Sequence, residues 1–366
     1  MKIAIDIRSA GGEKTGKGFY TFHMLQALLK IDQENHYTLY TKDGIAGFHH
    51  FKNVTIKRFS GRGLIWHFKV IRDLEKTQPD IFWAPSSYII PALTSNKIKT
   101  ILTVHDLVAF HFPTRHNKKA TIVEKLFLKR ALKKANTVLS VSDNTKKDLL
   151  DKFNFLEKNN IHTIYCSASE KFKPLDASEL KEFAKKTKLP QKFFLAVGTI
   201  EPRKNYKKLI QAFKRISDHY PNYHLIVVGK EGWQYEEVYD EICAHYLQKK
   251  VHFLGYLSNK SLVSLYNLAQ ALVFPSIYEG FGIPPLEAMK CGCPVISSQV
   301  SSIPEVVGDA AILIDPENEE VIARAMERII CAPKEVIRLR EKGILQSKKF
   351  SWEKSAKRLL ALYTKI

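Results

Sequence analysis

The feature that most restricts the fold of this chain is an alternation of short apolar strands with amphipathic helical stretches, run through twice. "KIAIDI" is an apolar strand at residues 2–7, followed by the glycine-rich "SAGGEKTGKG" and the amphipathic "FYTFHMLQALLKI". Strand patterns at "YTLYT", "VTIKRF", "IFWAP", "KTILTVHD" and "TVLSVS" then alternate with helical patterns at "IWHFKVIRDLEKT", "VEKLFLKRALKKA" and "NTKKDLLDKF". Such alternation predicts a parallel sheet covered by helices on both faces. A polar, lysine-rich stretch with two prolines and little apolar periodicity follows at residues 170–192. The alternation then restarts at "FFLAVGT" and runs through "YHLIVVG", "VHFLGYL", "ALVFPS", "PVISS" and "AAILID", with helical patterns between them.

At 366 residues the chain exceeds one ordinary core. The expected architecture is α/β, with two doubly wound Rossmann-like domains, residues 1–172 and residues 173–350. In series, they are expected to face one another across a cleft with the carboxyl ends of their strands, so loops after strands should carry the chemistry. No short-period repeat is present, which excludes a solenoid.

Hydrophobic and charged fractions of 45% and 26% suit a globular protein, and no run of about 18 uncharged apolar residues could span a bilayer. The apolar stretch in "MKIAIDIRSAGG" is too short for a signal peptide, so a cytoplasmic location is expected. Five cysteines, with no Cys-x-x-Cys and no histidine at a zinc-binding spacing, read as reduced thiols. The net charge of +20 is uneven: residues 1–174 hold 29 basic against 15 acidic residues. That basic half suits nucleic acid, an anionic membrane surface or a phosphorylated substrate, although much of any charge run is solvated surface. The aromatic-plus-basic motifs of a nucleic-acid binder are missing, so no nucleic-acid partner is expected.

The segment "YEGFGIPPLEAMKCG", residues 278–292, is the most informative. Pro284 and Pro285 fit a first helical turn, and Gly292 fits its C-terminal cap. The helix N-terminus, with Gly280 and Gly282 before it, favours an anion such as a diphosphate. Glu287 in the first turn could merely complement the helix dipole. Glu279, in the loop after "ALVFPS", has no such explanation and is placed to accept hydrogen bonds from sugar hydroxyls. In "VGTIEPRKNYKKL", Arg203 and Lys204 are adjacent cations beside a helix start, apt for phosphate oxygens, and Glu201 could orient Arg203. "TGKG", Thr15 to Gly18, is a weak glycine signal with neither P-loop nor dinucleotide spacing. "TVHDL" ends a strand at His105, where a structural histidine is the commoner case. No Asp-x-Asp and no cluster of metal ligands occurs, so metal-dependent chemistry is disfavoured.

In this order these segments, with "LSVSDNTKKDL" and the closing "FSWEKSAKRLLALY", resemble the family 4 retaining glycosyltransferases of the two-domain GT-B fold. The resemblance runs nearly end to end and is most specific from Gly255 to Pro316. It implies that Glu279 contacts the donor sugar, that Gly280, Phe281, Gly282 and Ile283 present backbone to sugar and phosphate oxygens, and that Glu287 grips the ribose. It also implies that Arg203 and Lys204, beside Gly198 and Thr199, neutralise the departing diphosphate without a metal. Gly16 would let the first loop approach the diphosphate, and His105 would touch the transferred sugar. The last helix, about 351–366, is expected to cross back to the first domain.

Two departures stand out. Thr199 replaces an arginine common in the family, with Arg203 expected to substitute for it. "YCSASEKF", Tyr165 to Phe172, replaces the usual loop before the linker. "GTIEPRKN" resembles the mannosyltransferases of surface polysaccharides, which implies GDP-mannose as donor and a lipid-linked or oligosaccharide acceptor at the inner face of the membrane. A UDP-sugar donor carrying glucose, N-acetylglucosamine or rhamnose is the alternative. No cofactor is expected beyond the nucleotide-sugar co-substrate.

Overall fold

The computed structural model describes residues 1–12, 16–112 and 118–366. They form two compact units: Met1–Cys166 together with Ser351–Ile366, and Ser167–Phe350. The division falls six residues before the 172/173 boundary expected from the lysine-rich stretch. Phe172 explains the difference, because it is buried against Tyr266 of the second unit, and Ser167 Oγ donates to the Phe350 carbonyl there.

In the first unit β1 (Lys2–Asp6) leads to α1 (Gly16–Ile31), β2 (His36–Thr41), β3 (Val54–Arg58) and α2 (Leu64–Thr77). Then come β4 (Ile81–Ala84), α3 (Ile89–Leu93), β5 (Lys99–Val104), α4 (Val108–His111) and α5 (Lys118–Lys134). β6 (Thr137–Ser140), α6 (Asp143–Lys152) and β7 (Ile161–Thr163) complete the sheet. Its order is β3-β2-β1-β4-β5-β6-β7, every pairing parallel, so the direction of winding reverses between β1 and β4. The short β7 lacks the apolar alternation of a strand and was not among those expected. One face buries Trp66, Val70 and Leu74 of α2, Ile90 of α3 and Leu128 and Leu132 of α5 in a single core.

The second unit runs α7 (Ala177–Thr187), β8 (Lys192–Val197), α8 (Tyr206–His219), β9 (Tyr223–Val228), α9 (Glu236–Ala244) and β10 (Val251–Phe253). It continues with α10 (Asn259–Leu268), β11 (Leu272–Phe274), α11 (Ile283–Lys290), β12 (Val295–Ser298), α12 (Ile303–Val307) and β13 (Ile312–Ile314). α13 (Glu319–Cys331) and α14 (Pro333–Ser347) end it. The sheet order β10-β9-β8-β11-β12-β13 is again parallel, and its winding reverses between β8 and β11. Both sheets are therefore doubly wound.

The final helix, α15 (Trp352–Tyr363), belongs to the first unit and packs along α1. Trp352 meets the rings of Tyr20 and His23, and Leu359 and Tyr363 are buried. Ser351 caps the helix by accepting from the Lys354 N–H. All five cysteines are free thiols. Among the described residues no helix is long and apolar enough to cross a membrane.

Candidate active site

In a doubly wound sheet, ligands sit outside the strand ends where the winding reverses. In the second unit that point lies between β8 and β11, and the loops after these two strands carry eight of the expected residues. The β8 loop holds Gly198, Thr199, Arg203 and Lys204; the β11 loop holds Glu279 and Gly280, with Phe281 and Gly282 at its end. The loops are tied by backbone as well as by charge, since the Ile277 N–H donates to the Arg203 carbonyl at 2.9 Å.

Glu279 is 8% exposed and is the hub. Its Oε1 accepts from Lys204 Nζ at 2.5 Å and from Ser276 Oγ at 2.6 Å, and its Oε2 lies 2.9 Å from Arg203 Nη1. Arg203 also donates to the Tyr278 carbonyl at 2.7 Å and to Glu201 Oε1 at 2.6 Å. Burial alone would raise the Glu279 pKa, but Arg203, Lys204 and the hydroxyl of Ser276 outweigh it and hold the carboxyl below its ordinary value. Burial pulls the Lys204 ammonium down and pushes Glu201 up. The Lys204 ammonium also lies over the Phe274 ring, with Nζ 4.9 Å from its centroid. The loop acid expected to face a sugar is thus already the counter-charge of two nearly buried cations. A carboxylate has about four acceptor positions, and the three contacts above leave room for a sugar hydroxyl.

The backbone of the β11 loop is fixed by hydroxyls. Ser301 Oγ and Ser302 Oγ donate to the Glu279 carbonyl at 2.6 and 2.9 Å, and Ser302 also donates to the Phe281 carbonyl at 3.0 Å. Gly282 stands at φ 105°, and a Cβ there would lie 2.6 Å from Ile303 Cδ1, so only glycine fits. Ile283 opens α11 with Pro284 and Pro285 in its first turn, and Gly292 takes the left-handed conformation beyond its end. Phe281 is buried against Phe350. Gly198, at φ 147°, passes close to Lys204, whose Cε would be 3.3 Å from an added Cβ.

Glu287 accepts from the buried Tyr266 hydroxyl at 3.1 Å. Burial pushes its carboxyl up to about 8, with Tyr266 acting in the opposite sense. Tyr266, Ser276, Ser301 and Ser302 were not anticipated. Tyr266 falls on the apolar face of α10, where spacing cannot distinguish it from core, and Ser301 and Ser302 come from a loop after β12 that only the sheet brings beside Glu279.

Gly16 and His105 lie in the first unit. Gly16 is the exposed first residue of α1, and a Cβ there would meet nothing within 4 Å. Thr15 lies outside the described residues. His105 follows β5, is 7% exposed, and donates from Nε2 to the Pro85 carbonyl at 2.7 Å. Its ring meets Tyr20 of α1 edge-on. Burial and the nearby Lys17 charge bring its pKa down to about 4, so the ring is neutral at pH 7, with Nδ1 as acceptor. Among the described residues no group of three or more His, Cys, Asp or Glu side chains could hold a metal ion.

Comparison with known proteins identifies the family. The model for glycosyl transferases group 1 matches residues 178–346, and that for glycosyltransferase family 4 matches residues 20–169. The chain is 32% identical over 287 residues to O-antigen chain mannosyltransferase B of Escherichia coli, covering 77% of this chain and 74% of that protein. It is 29% identical over 349 residues to O-antigen chain mannosyltransferase RfbU of Salmonella typhimurium, covering 92% and 93%. The Anabaena protein HepE, solved with UDP and glucose, superposes with a TM-score of 0.82 at 17% identity over the whole of both chains, a likeness of fold. With its two parallel doubly wound units, this chain belongs to the family 4 glycosyltransferases and has the GT-B fold.

Proposed function

We propose that this glycosyltransferase moves mannose from GDP-mannose onto a lipid-linked or polysaccharide glycan, with retention of configuration and without a metal. The observation that carries this reading is the Arg203–Glu279–Lys204 cluster beside the α11 N-terminus. Two cations held at a strand end next to a helix start suit the two phosphates of a nucleotide-sugar. Their positive charge stabilises the diphosphate as it leaves. Glu279 directs the cations and offers its remaining acceptor position to a sugar hydroxyl, and Glu287 takes the ribose. In the first unit, neutral His105 is suited to accept from a sugar hydroxyl. The acceptor hydroxyl attacks on the face from which the diphosphate departs, giving its proton to the leaving phosphate.

Mannose as the sugar is supported by the two O-antigen mannosyltransferases above, which are similar over most of this chain. A UDP-sugar is the second reading, supported by the likeness to HepE, solved with UDP-glucose. A panel of nucleotide-sugars, followed by mass spectrometry of transfer and hydrolysis products, separates them. Consumption of GDP-mannose is expected; consumption of a UDP-sugar with GDP-mannose untouched would overturn the donor assignment.

The acceptor reading places the enzyme peripherally on an anionic membrane surface, at the inner face of the cytoplasmic membrane. It is supported by α5, where Ile122, Val123 and Leu126 are exposed among Lys125, Lys129 and Lys133. An apolar stripe flanked by lysines is suited to lie in a lipid headgroup layer.

A further inference from the structure

The first sheet has its own reversal point, between β1 and β4, and the residues there are not used by the donor site. Asp6 ends β1, Arg8 and Ser9 follow it, and Ser86 follows β4. A ladder of hydroxyls spans the two strand ends: Ser86 Oγ donates to Ser9 Oγ at 2.9 Å, and Ser9 lies 2.9 Å from Thr21 Oγ1. Arg8 precedes Ser9 at the same strand end. Its guanidinium carbon lies 4.5 Å from the centroid of the Trp66 ring, and its Nη1 donates to His67 Nε2 at 2.8 Å. His67 in turn donates from Nδ1 to the Gly63 carbonyl at 3.1 Å, which fixes the tautomer. Burial, and then Arg8 itself, bring the His67 pKa down to about 4, so the ring stays an acceptor.

The cation so held lacks a full counter-charge. Among the described residues the carboxylate oxygen paired with Arg8, Asp6 Oδ2, is 3.8 Å from Nη2, beyond hydrogen-bond reach, and has no hydrogen-bond partner although Asp6 is 1% exposed. Burial raises the Asp6 pKa, with the Arg8 charge and the Arg8 N–H acting in the opposite sense. The Arg8 side chain remains 30% exposed, with its Nε and Nη2 hydrogens uncommitted among the described residues. That is a planar fork stacked on an aromatic ring, the arrangement suited to phosphate oxygens. The first turns of α2, which supply Trp66 and His67, also expose Leu64, Ile65 and Phe68, at 46%, 57% and 55%. Exposed Arg62, Lys69 and Arg72 flank them.

We propose that Arg8, braced by Trp66 and His67, binds the phosphate of an amphiphilic acceptor, and that Leu64, Ile65 and Phe68 receive its apolar chain. The site rests on the reading of the acceptor as lipid-linked and names where its phosphate is held. It calls for no residue of the donor site.

The test titrates farnesyl diphosphate, inorganic pyrophosphate and farnesol into the full chain by calorimetry. Farnesyl diphosphate is expected to bind most tightly, with the other two at least about tenfold weaker, since each lacks one of the two kinds of contact. Arg8→Gln should weaken farnesyl diphosphate about tenfold, and Arg8→Lys, which keeps the charge but loses the fork, should fall between. Phe68→Ser should weaken farnesyl diphosphate and leave pyrophosphate unchanged. Thermal unfolding and the binding of GDP and UDP should match wild type in every variant. Undiminished farnesyl diphosphate binding by a folded Arg8→Gln chain overturns the proposal. So does pyrophosphate binding as tightly as farnesyl diphosphate, which would assign the site to free phosphate. Failure of GDP-mannose in the donor panel leaves this site standing, and loss of the site leaves the donor reading standing.

Discussion

At the scale of single residues, Glu279 illustrates how a buried charge can serve geometry and chemistry together. Its removal takes the ion pair from Lys204 and leaves Arg203 with Glu201 alone in a poorly solvated site, and breaking such a pair typically costs about 3–5 kcal/mol. Glu279→Ala is therefore expected to lower the denaturant midpoint as well as abolish transfer, whereas Glu279→Gln, retaining shape and one acceptor, should lose transfer with a smaller stability cost. Urea unfolding of both variants beside the transfer assay checks this; an unaltered midpoint for Glu279→Ala would contradict the buried pairing. Glu287 makes a separate prediction about pH. Its folded pKa is raised from 4.5 to about 8, so between those values the folded chain holds a proton that the unfolded chain has released. Its contribution to stability is complete below the lower value and is lost as pH rises through the upper one. Melting temperature measured from pH 5 to pH 9 should fall less steeply in Glu287→Gln than in wild type. The anomaly of Glu279 was visible in the sequence, because nothing local explains an acid in that loop. The hub it forms was not, because Arg203 and Lys204 reach Glu279 only when β8 and β11 become neighbours. Arg8 carried no signal at all: its partners Trp66 and His67 lie nearly sixty residues away and read as ordinary core.

At the scale of elements, the strand-to-helix loops hold the donor residues in place through backbone conformations that admit one residue type. Gly282→Ala must both occupy φ 105° and displace Ile303, and is expected to cost about 1–3 kcal/mol with disordering of the α11 entry. Gly255→Ala, at φ 64° with nothing near the added Cβ, is the control and should cost less. Chemical denaturation of the two variants side by side decides it. Most strands were readable from their apolar runs, and the bounds of α11 from its prolines and Gly292. β7, only three residues long, was not, since so short a segment has no period to detect. α14 is not set off by its sequence in the same way, since Pro333 opens it two residues after α13 ends.

At the scale of the whole molecule, the units differ in charge. The first holds 31 basic and 15 acidic residues, a net +16, against 26 and 22 in the second. If the first unit meets an anionic surface, co-sedimentation with phosphatidylglycerol vesicles should be strong at about 50 mM salt and weaken several-fold by about 300 mM, as screening shortens the reach of the charges. Leu126→Glu should reduce it at every salt concentration; equal sedimentation with neutral phosphatidylcholine vesicles would sink the membrane reading. The two-unit plan was legible because the strand–helix alternation stops and restarts. The place of the division was not, because it depends on which core accepts Phe172.

The return of α15 to the first unit also sets a schedule for synthesis. The α1 surface that receives Trp352, Leu359 and Tyr363 leaves the ribosome early, whereas its cover is translated only after the whole of the second unit. At ordinary elongation rates that surface waits about 15–65 s for its last helix, while the second unit, contiguous in sequence, can fold as it emerges. The growing chain therefore has a period of vulnerability, confined to the unit whose first and last pieces are made furthest apart.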